Sequence, residues 1–237
     1  MATRETISHG NASMEGSIAR DGEHHGNLIN RSRSRCATHM TLVELTPESD
    51  PLTSFLEWYD AHAKTGPSHP EAMILATVGE DGQPSARAVL LKGVEGGAFR
   101  FFTNYESRKS RELELNPRAA LLFFWLPIGR QVRVEGDVSR LAAKDSEEYF
   151  ATRPRQSQLS AYASPQSRPI TRSALLALRL DAERRFDGKP VPRPENWGGY
   201  ALVPRSFEFW IDDATRLHRR HAYVRTATGW HHVELAP

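Results

Sequence analysis

The amino-acid sequence predicts a mostly β fold with flanking helices, of the α+β class. Eight short segments rich in apolar and aromatic residues are separated by turn residues, whereas only five segments show helical spacing. The chain has 237 residues, of which 39% are hydrophobic and 25% charged, so it can bury a substantial core. So many strands with so few helices favour an antiparallel barrel or sandwich.

The first folded element should be a helix that Ser49 or Asp50 caps, with Pro51 in its first turn and with Gly66 and Pro67 ending it. Strands are then expected at 72–78, 85–94, 98–104, 119–126 and 130–141. Four helices should interrupt them, at 107–115, 144–152, 156–163 and 171–186. A proline-rich loop precedes three more expected strands, at 200–212, 216–225 and 230–235.

The N-terminal segment differs in composition from the rest. Residues 1–39 are rich in Gly, Ser, Asn, His and Arg and show no apolar period, which predicts disorder. We therefore divide the chain into a loosely ordered tail, 1–45, and one domain, 46–237. The basic run at 31–35 is best interpreted as part of a solvated tail, and whether Met40 is the true start stays open.

Bulk properties exclude several function classes. A formal charge of +2 gives no support to a nucleic-acid or membrane-surface role. The longest apolar run, Ala119–Leu126, is far shorter than the ~20 residues that cross a bilayer, and no signal peptide is present, so we expect a soluble cytoplasmic protein. The single cysteine, Cys36, fits a reducing compartment. Motifs for dinucleotides, P-loop nucleotides, serine hydrolysis and metals are missing, and no metal site is expected.

Basic residues beside strands and helix ends are the remaining candidates. Ser107 can cap a helix whose first turn carries Arg108 and Lys109, an arrangement that attracts phosphate, although a solvated basic turn is an equally weighted alternative. Alternation places Arg87 and Lys92 on opposite faces of one strand. They can share a ligand only at a bulge or at the strand end.

Two C-terminal strands carry further candidates. In 206–212, Trp210 falls on the polar side, where it either packs under a loop or contacts a ligand. In 216–225, alternation puts Arg216, His218 and Arg220 on one face with no obvious acidic partner, and this favours an anion over a solvated edge.

One helical stretch could hold a phosphate monoester. Tyr149, Arg153 and Ser157 follow one another at spacings of four, which places a phenol, a guanidinium and a hydroxyl on one helical face. Pro154 interrupts a continuous helix, so this facing is approximate. Gln166 and Ser167 follow shortly afterwards.

Taken together, these segments resemble the pyridoxamine/pyridoxine 5′-phosphate oxidase family. The resemblance runs from about residue 50 to the C-terminus and rests on six separated stretches: "ARAVLLK", "FFTNYESRKSRELELNPRAALLFFW", "RQVRVEGDVSRL", "YFATRPRQSQLSAYASPQS", "FEFW" and "RLHRRHAY" with the terminal "LAP". It implies a split β-barrel and a homodimer that binds FMN at the subunit interface.

The resemblance also implies residue roles. FMN would be bound by Arg87, Ala88, Val89, Leu90, Leu91, Lys92, Phe102, Thr103, Arg108, Lys109, Gln131, Gln166, Ser167, Trp210 and Arg220, partly from the other subunit. The substrate would be held by Lys92, Tyr149, Arg153, Ser157, Arg216 and His218. Arg216 and His218 would act at the reacting end, with His218 mainly an anchor.

The implied reaction oxidises C4′ of pyridoxamine or pyridoxine 5′-phosphate to give pyridoxal 5′-phosphate, while O₂ is reduced to H₂O₂; with pyridoxamine 5′-phosphate, water converts the imine to the aldehyde and ammonia. Two alternatives stay open: a flavin oxidase of the phenazine-biosynthesis type, and a flavin- or pyridoxal-phosphate-binding protein without turnover. The chain departs from the family's pattern at three places. Residues 30–45 lack an Arg-x-x-Tyr arm, Phe102 replaces a common tyrosine, and Arg219 replaces a common acidic residue.

Overall fold

The computed structural model describes residues 44–237. Several features predicted from the sequence lie outside the described residues. They are the disorder of 1–39, the basic run at 31–35, Cys36, Met40 and nearly all of 30–45, the segment that lacks an Arg-x-x-Tyr arm. Leu45 is buried in the main core, and the Tyr223 hydroxyl donates to the Thr46 carbonyl at 2.8 Å. The chain is therefore packed against the C-terminal strands as soon as the described part begins.

The described elements are close to those expected from the sequence. The helices are α1 Pro51–Ala63, α2 Arg108–Leu115, α3 Ala143–Thr152, α4 Arg155–Ala163 and α5 Arg172–Arg185. The strands are β1 Ala72–Val78, β2 Pro84–Leu90, β3 Val94–Glu95, β4 Ala98–Asn104, β5 Arg118–Trp125, β6 Arg130–Arg140, β7 Trp197–Ile211, β8 Arg219–Arg225 and β9 Trp230–Leu235. This composition confirms the α+β prediction.

Helix α1 begins as the cap signal predicts. Of the two candidates, Asp50 is the cap, because its carboxylate accepts from the Thr53 amide at 2.9 Å. The helix places Phe55 and Trp58 in the core, where their rings pack edge-on against Phe123 and Phe209. Helix α1 therefore contributes directly to the aromatic core of the sheet.

All strand pairs are antiparallel, and the sheet order is β2-β1-β5-β6-β7-β4-β3. Two backbone bonds join the end of β2 to β4: Lys92 N to Arg100 O at 2.8 Å and Arg100 N to Gly93 O at 2.9 Å. They close the sheet into a barrel. Strand β7 pairs with β4 through residues 197–202 and with β8 through 206–211, so the sheet splits along it.

The two faces of the sheet have opposite character. On the inner face Phe123, Val132 and Phe209 are directly opposite one another across β5, β6 and β7, and each is fully buried. The neighbouring row on the outer face runs through Phe124, Gln131, Trp210 and Arg220. The outer face therefore carries both an exposed apolar group and three predicted cofactor ligands.

Two expected strands are shorter than the sequence indicated. The strand expected over 85–94 ends at Leu90, because Lys92 and Gly93 bond across to β4. The strand expected over 216–225 begins only at Arg219. Arg216 has a φ of 70°, in the left-handed region, and its amide donates to the Asp213 carbonyl at 3.1 Å in a turn. Arg216 and His218 therefore belong to a loop, and the shared strand face predicted for them was wrong.

Within residues 44–237, no helix has the length and apolar character needed to cross a bilayer.

Candidate active site

A cavity of about 1120 Å³ opens between β2, β4, the start of α2 and the α3–α4 segment. Of the described residues that line it, five are cations and none is a carboxylate: Arg87, Lys92, Arg108, Lys109 and Arg153. A surface with this imbalance attracts anions. The cavity walls also include hydroxyl and amide groups that can donate hydrogen bonds.

Most of the predicted site residues line this one cavity. From the predicted cofactor set they are Arg87, Ala88, Val89, Leu90, Lys92, Phe102, Thr103, Arg108, Lys109, Gln166 and Ser167. From the predicted substrate set they are Lys92, Tyr149, Arg153 and Ser157. Leu91 is buried and does not line it. Arg87 and Lys92 meet here because β2 ends between them, which is the strand-end arrangement that the alternation pattern left open.

The start of α2 differs in detail from the expected cap. Ser107 occupies the cap position, but its side chain makes no capping bond, so that expectation was wrong. Its hydroxyl instead accepts from Lys109 Nζ at 3.1 Å. The Arg108 amide donates to the Ser167 hydroxyl at 3.2 Å, and Ser167 has a left-handed φ of 68°. The loop after α4 is thereby held against the helix N-terminus.

Lys109 is the most buried cation of the cavity, with 8% of its surface exposed. Its Nζ donates to Thr103 Oγ1 at 3.0 Å and to Gln166 Oε1 at 2.9 Å. Burial, together with the nearby Arg87 charge, lowers the pKa of Lys109 to about 8. The protein thus holds this ammonium at an energetic cost that a bound anion would relieve.

The predicted phosphate-binding trio lies at a break between two helices. Helix α3 ends at Thr152 and α4 begins at Arg155, yet Tyr149, Arg153 and Ser157 all line the cavity. Arg153 Nη1 is buried and has no hydrogen-bond partner in the described part of the chain. Burial lowers the pKa of Arg153. A buried guanidinium nitrogen without a partner indicates a place for an acceptor.

An aromatic wall supports this part of the cavity. The Phe102 ring stacks on Tyr149 at 4.0 Å and lies at 5.6 Å from Trp197, while the Arg153 guanidinium sits 4.4 Å from the Trp197 ring. Trp197 was not predicted from the sequence, although the run "WGG" at 197–199 could have indicated close packing at this place. A Cβ on Gly199 would meet the Phe102 ring at 2.7 Å, so the glycine is needed for the close packing.

A second group of predicted residues lies elsewhere, on the outer face and its adjoining loop: Gln131, Trp210, Arg216, His218 and Arg220. None of them lines the cavity of the same chain. Along the sheet, β1 and β5 separate β2 from β6, and β7 separates β6 from β8, so the two groups stand on different strands of the barrel. Within one chain, the cavity and this second group are therefore separate.

The expectation that these basic residues have no acidic partner was wrong. Arg220 Nε donates to Glu208 Oε1 at 2.9 Å, and the buried Glu208 also binds Arg133 at 2.5 Å. Glu208 lies on the neighbouring strand, two residues before Trp210, the register partner of Arg220, and therefore on the same face. The same carboxylate raises the pKa of Arg220, so its charge is secured before any ligand binds.

His218 is held in the loop by contacts at Nδ1. The Asp213 amide donates to this nitrogen at 3.1 Å. Asp212 Oδ1 lies 3.4 Å from the same nitrogen. The His218 ring also lies 4.6 Å from Trp210, so this tryptophan does pack under the loop.

Comparison with known proteins identifies the family. A family model described as pyridoxamine 5′-phosphate oxidase matches residues 59–186, and one described as the pyridoxine 5′-phosphate oxidase C-terminal dimerisation region matches 197–237. A pyridoxine/pyridoxamine 5′-phosphate oxidase of Rubrobacter xylanophilus is 50% identical over 84% of this chain and 93% of its own, and one of Bordetella petrii is 48% identical over 83% and 94%. The chain belongs to the pyridoxamine 5′-phosphate oxidase family.

Among solved structures, PhzG from Burkholderia lata 383, in complex with tetrahydrophenazine-1-carboxylic acid, superposes with a TM-score of 0.76. It is 31% identical and the match covers 81% of this chain and 94% of that one. An FMN-binding protein from Nostoc punctiforme, 16% identical with a TM-score of 0.65, matches in fold; the match covers 81% of this chain and all of that one.

Replacing Lys109 should change how stability depends on pH. The pKa of Lys109 is about 8 in the folded chain and 10.5 as its ordinary value, so between these values the unfolded chain binds more protons and stability rises with pH. For wild type, this group should add about 2 kcal/mol to the unfolding free energy between pH 7.5 and 9.5. Lys109→Met should lack this increment in urea unfolding of the flavin-free protein. Equal pH slopes for the two proteins would contradict the burial argument.

Proposed function

We propose that the protein is an FMN-dependent oxidase that converts pyridoxamine or pyridoxine 5′-phosphate to pyridoxal 5′-phosphate. The observation that carries the proposal is the cavity with five cations and no carboxylate among its described lining residues. FMN and the substrate each bear one phosphate, so two dianionic groups account for this concentration of charge. The family assignment, with relatives of that name at 48% and 50% identity, supports the same activity.

The residues present fit FMN. The cavity volume of about 1120 Å³ exceeds the ~300–1,000 Å³ typical of a site for one small molecule, so a flavin and a substrate have room together. Arg87, Arg108 and Lys109 would hold the flavin phosphate at the start of α2. Ser167 and Gln166 already contact that helix and Lys109, and they would complete this end of the site.

The substrate phosphate would bind at the other basic cluster. Lys92, Tyr149, Arg153 and Ser157 line the cavity beside the aromatic wall, and Arg153 brings a buried nitrogen that still lacks an acceptor. The guanidinium is held over the Trp197 ring, which restricts its orientation. Such fixed donors bind a phosphate without a large ordering cost.

FMN, when bound, would supply the hydride acceptor for oxidation of the substrate's C4′ carbon, with O₂ as the final acceptor. The chain's own contribution is to bind and orient. His218 Nδ1 already accepts from the Asp213 amide, so Nε2 is the ring nitrogen left to contact the substrate. Arg216, held in the adjoining turn, supplies a positive charge beside it.

The active unit we propose is a homodimer. On the outer face, three side chains are exposed and apolar: Leu90, which lines the cavity on β2, and Ile74 and Phe124, which lie on β1 and β5 between β2 and the strands of Trp210 and Arg220. An exposed apolar patch of this kind marks an interface. A two-fold axis through it would place the Trp210–Arg220 group of each subunit at the cavity of the other, because such interfaces are self-complementary.

The alternatives from the sequence are weaker on the present comparisons. The phenazine-pathway protein PhzG is 31% identical to this chain, whereas oxidases named for the vitamer phosphates reach 48% to 50% over a similar span. A binding protein without turnover would have no need of the Arg216–His218 loop. We further propose a cytoplasmic location, in keeping with the single cysteine of the sequence.

The proposed activity can be tested without oxygen. The purified protein should be yellow, and pyridoxine or pyridoxamine 5′-phosphate should bleach the flavin absorbance under anaerobic conditions, because the substrate reduces the bound flavin. Colour without bleaching would favour the binding protein. Bleaching by a phenazine precursor alone would favour the alternative oxidase.

Removing the Arg216 side chain should separate catalysis from cofactor binding. We expect Arg216→Ala to lower kcat/KM by about 100-fold, as loss of substrate orientation does, while FMN affinity stays within about threefold. Leu217→Ala, at an exposed neighbouring position, serves as the control and should behave like wild type. Parallel losses of turnover and FMN would show that Arg216 belongs to the cofactor site instead.

A charge in the apolar patch should break the dimer and the site together. Phe124→Glu puts a carboxylate at a position that is 58% exposed in the single chain, so it should leave the fold intact and shift sedimentation toward the monomer. FMN affinity should fall in parallel, since the partner's residues are lost. Leu176→Glu, at an exposed leucine of α5, is the matched control. A Phe124→Glu monomer that binds FMN normally would refute a shared site.

A further inference from the structure

Glu112 is a buried carboxylate that bonds to two cavity-lining arginines, and it was not among the site residues predicted from the sequence. It lies on α2, one turn after Arg108, and only 6% of its surface is exposed. Its Oε2 accepts from Thr77 Oγ1 at 2.5 Å and from Ser85 Oγ at 2.7 Å. Burial alone would raise the pKa of Glu112, but these and the arginine hydrogen bonds outweigh it and lower the pKa to about 2.

The contact between Glu112 and Arg108 leaves the two terminal nitrogens of the guanidinium free. Arg108 donates from Nε to Glu112 Oε1 at 2.7 Å. In the described part of the chain, the two terminal nitrogens of Arg108 have no hydrogen-bond partner, and the residue lines the cavity. A guanidinium fixed through one nitrogen can still offer its other two to a phosphate.

The contact with Arg87 fixes a second guanidinium. Arg87 Nη2 donates to Glu112 Oε2 at 3.2 Å and also to Ser85, and Nη1 donates to Thr77 and to the Leu75 carbonyl. Every one of these partners belongs to β1, β2 or α2. Glu112 thereby links the two strands and the helix that carry the cations at one end of the cavity.

We propose that Glu112 is a positioning residue for the flavin phosphate. It holds Arg108 with both terminal nitrogens free for the phosphate and fixes the Arg87 charge beside them, and its negative charge offsets the repulsion between the two cations before the phosphate arrives. The inference rests on the proposed function, because it takes the anion at this end of the cavity to be that of FMN. Orientation in advance of binding improves affinity by removing an ordering cost.

The test compares two flavins that differ only in the phosphate. Flavin-free Glu112→Gln is titrated with FMN and with riboflavin, and binding is followed by flavin fluorescence. The amide keeps the shape but removes the charge, so we expect the FMN Kd to rise at least about tenfold while the riboflavin Kd changes less than about twofold. A merely structural role would weaken both flavins alike.

Glu114→Gln is the matched control on the same helix. Its carboxylate binds Arg140 at 2.8 Å and the Tyr200 hydroxyl at 3.1 Å, and it does not line the cavity. It should leave both affinities unchanged. Glu112→Asp keeps the charge but shortens the side chain, so its FMN loss should be intermediate; if Glu112→Gln does not fold by circular dichroism, the same flavin comparison on Glu112→Asp decides.

The outcomes separate this inference from the proposed function. Equal losses for FMN and riboflavin, or an FMN affinity that is unchanged or higher, would overturn the role of Glu112. A wild-type protein that binds FMN no more tightly than riboflavin would overturn the phosphate site itself, and this inference with it. If the wild type prefers FMN and the Glu112→Gln variant keeps the same preference, the role proposed for Glu112 is refuted while the phosphate site stands.

Discussion

Repulsion among the five cations around one cavity is the constraint on which the rest of the structure depends. Two unit charges 4 Å apart repel by about 4 kcal/mol at an effective dielectric constant of 20, so such a cluster needs compensation. Glu112 compensates Arg87 and Arg108, and Glu71 lies 3.6 Å from Lys92. Within the described residues, Lys109 and Arg153 form no ion pair, and burial lowers the pKa of both even though the Glu112 charge acts in the opposite direction on Lys109. Bound phosphates would complete the balance.

The barrel determines where those cations meet. Because β2 stops at Leu90 and the next residues bond to β4, Lys92 is turned toward the cavity that Arg87 also lines. Because β7 pairs with β4 through 197–202 and with β8 through 206–211, Trp210 and Arg220 lie at the other end of β7 from Trp197, which lines that cavity. If both groups serve one ligand, as we propose, a second chain must supply one of them.

Much of the fold could be predicted from local sequence patterns, and the exceptions have physical causes. The cap at Asp50 and the alternation of Phe207, Phe209 and Ile211 are local signals, and the structure confirms both. The early end of β2 depends on pairing with β4, which no pattern within the strand reveals. The turn at Arg216 needs a left-handed backbone that arginine rarely adopts, so alternation misread it as strand.

The candidate site shows the same division. All five cations of the cavity were singled out from the sequence, because basic residues near strand ends and helix ends are visible in it, whereas the apolar lining of β2 and β4 was predicted only through the resemblance to the family. The acids that hold them were missed: Glu112 is within helical reach of Arg108 but receives hydrogen bonds from Thr77 and Ser85, more than 25 residues away. Glu208 reaches Arg220 only through the register of β7 and β8. Partners brought together by register lie outside what spacing along the chain can predict.

The charge arrangement also links cofactor loading to folding. A chain that keeps Lys109 and Arg153 buried, with no ion pair to either within the described residues, loses stability to do so, as functional sites commonly require. A ligand that binds the folded chain returns that stability by mass action, and more so when it supplies the missing negative charge. Phe102 contributes packing and no charge to the cavity. Its ring stacks on Tyr149 in the aromatic wall, while the polar lining comes from β2, α2 and the segment around Arg153. Folded without anions, the chain is therefore expected to be the less stable form, and the phosphates of the proposed cofactor and substrate would complete its electrostatics as well as its chemistry.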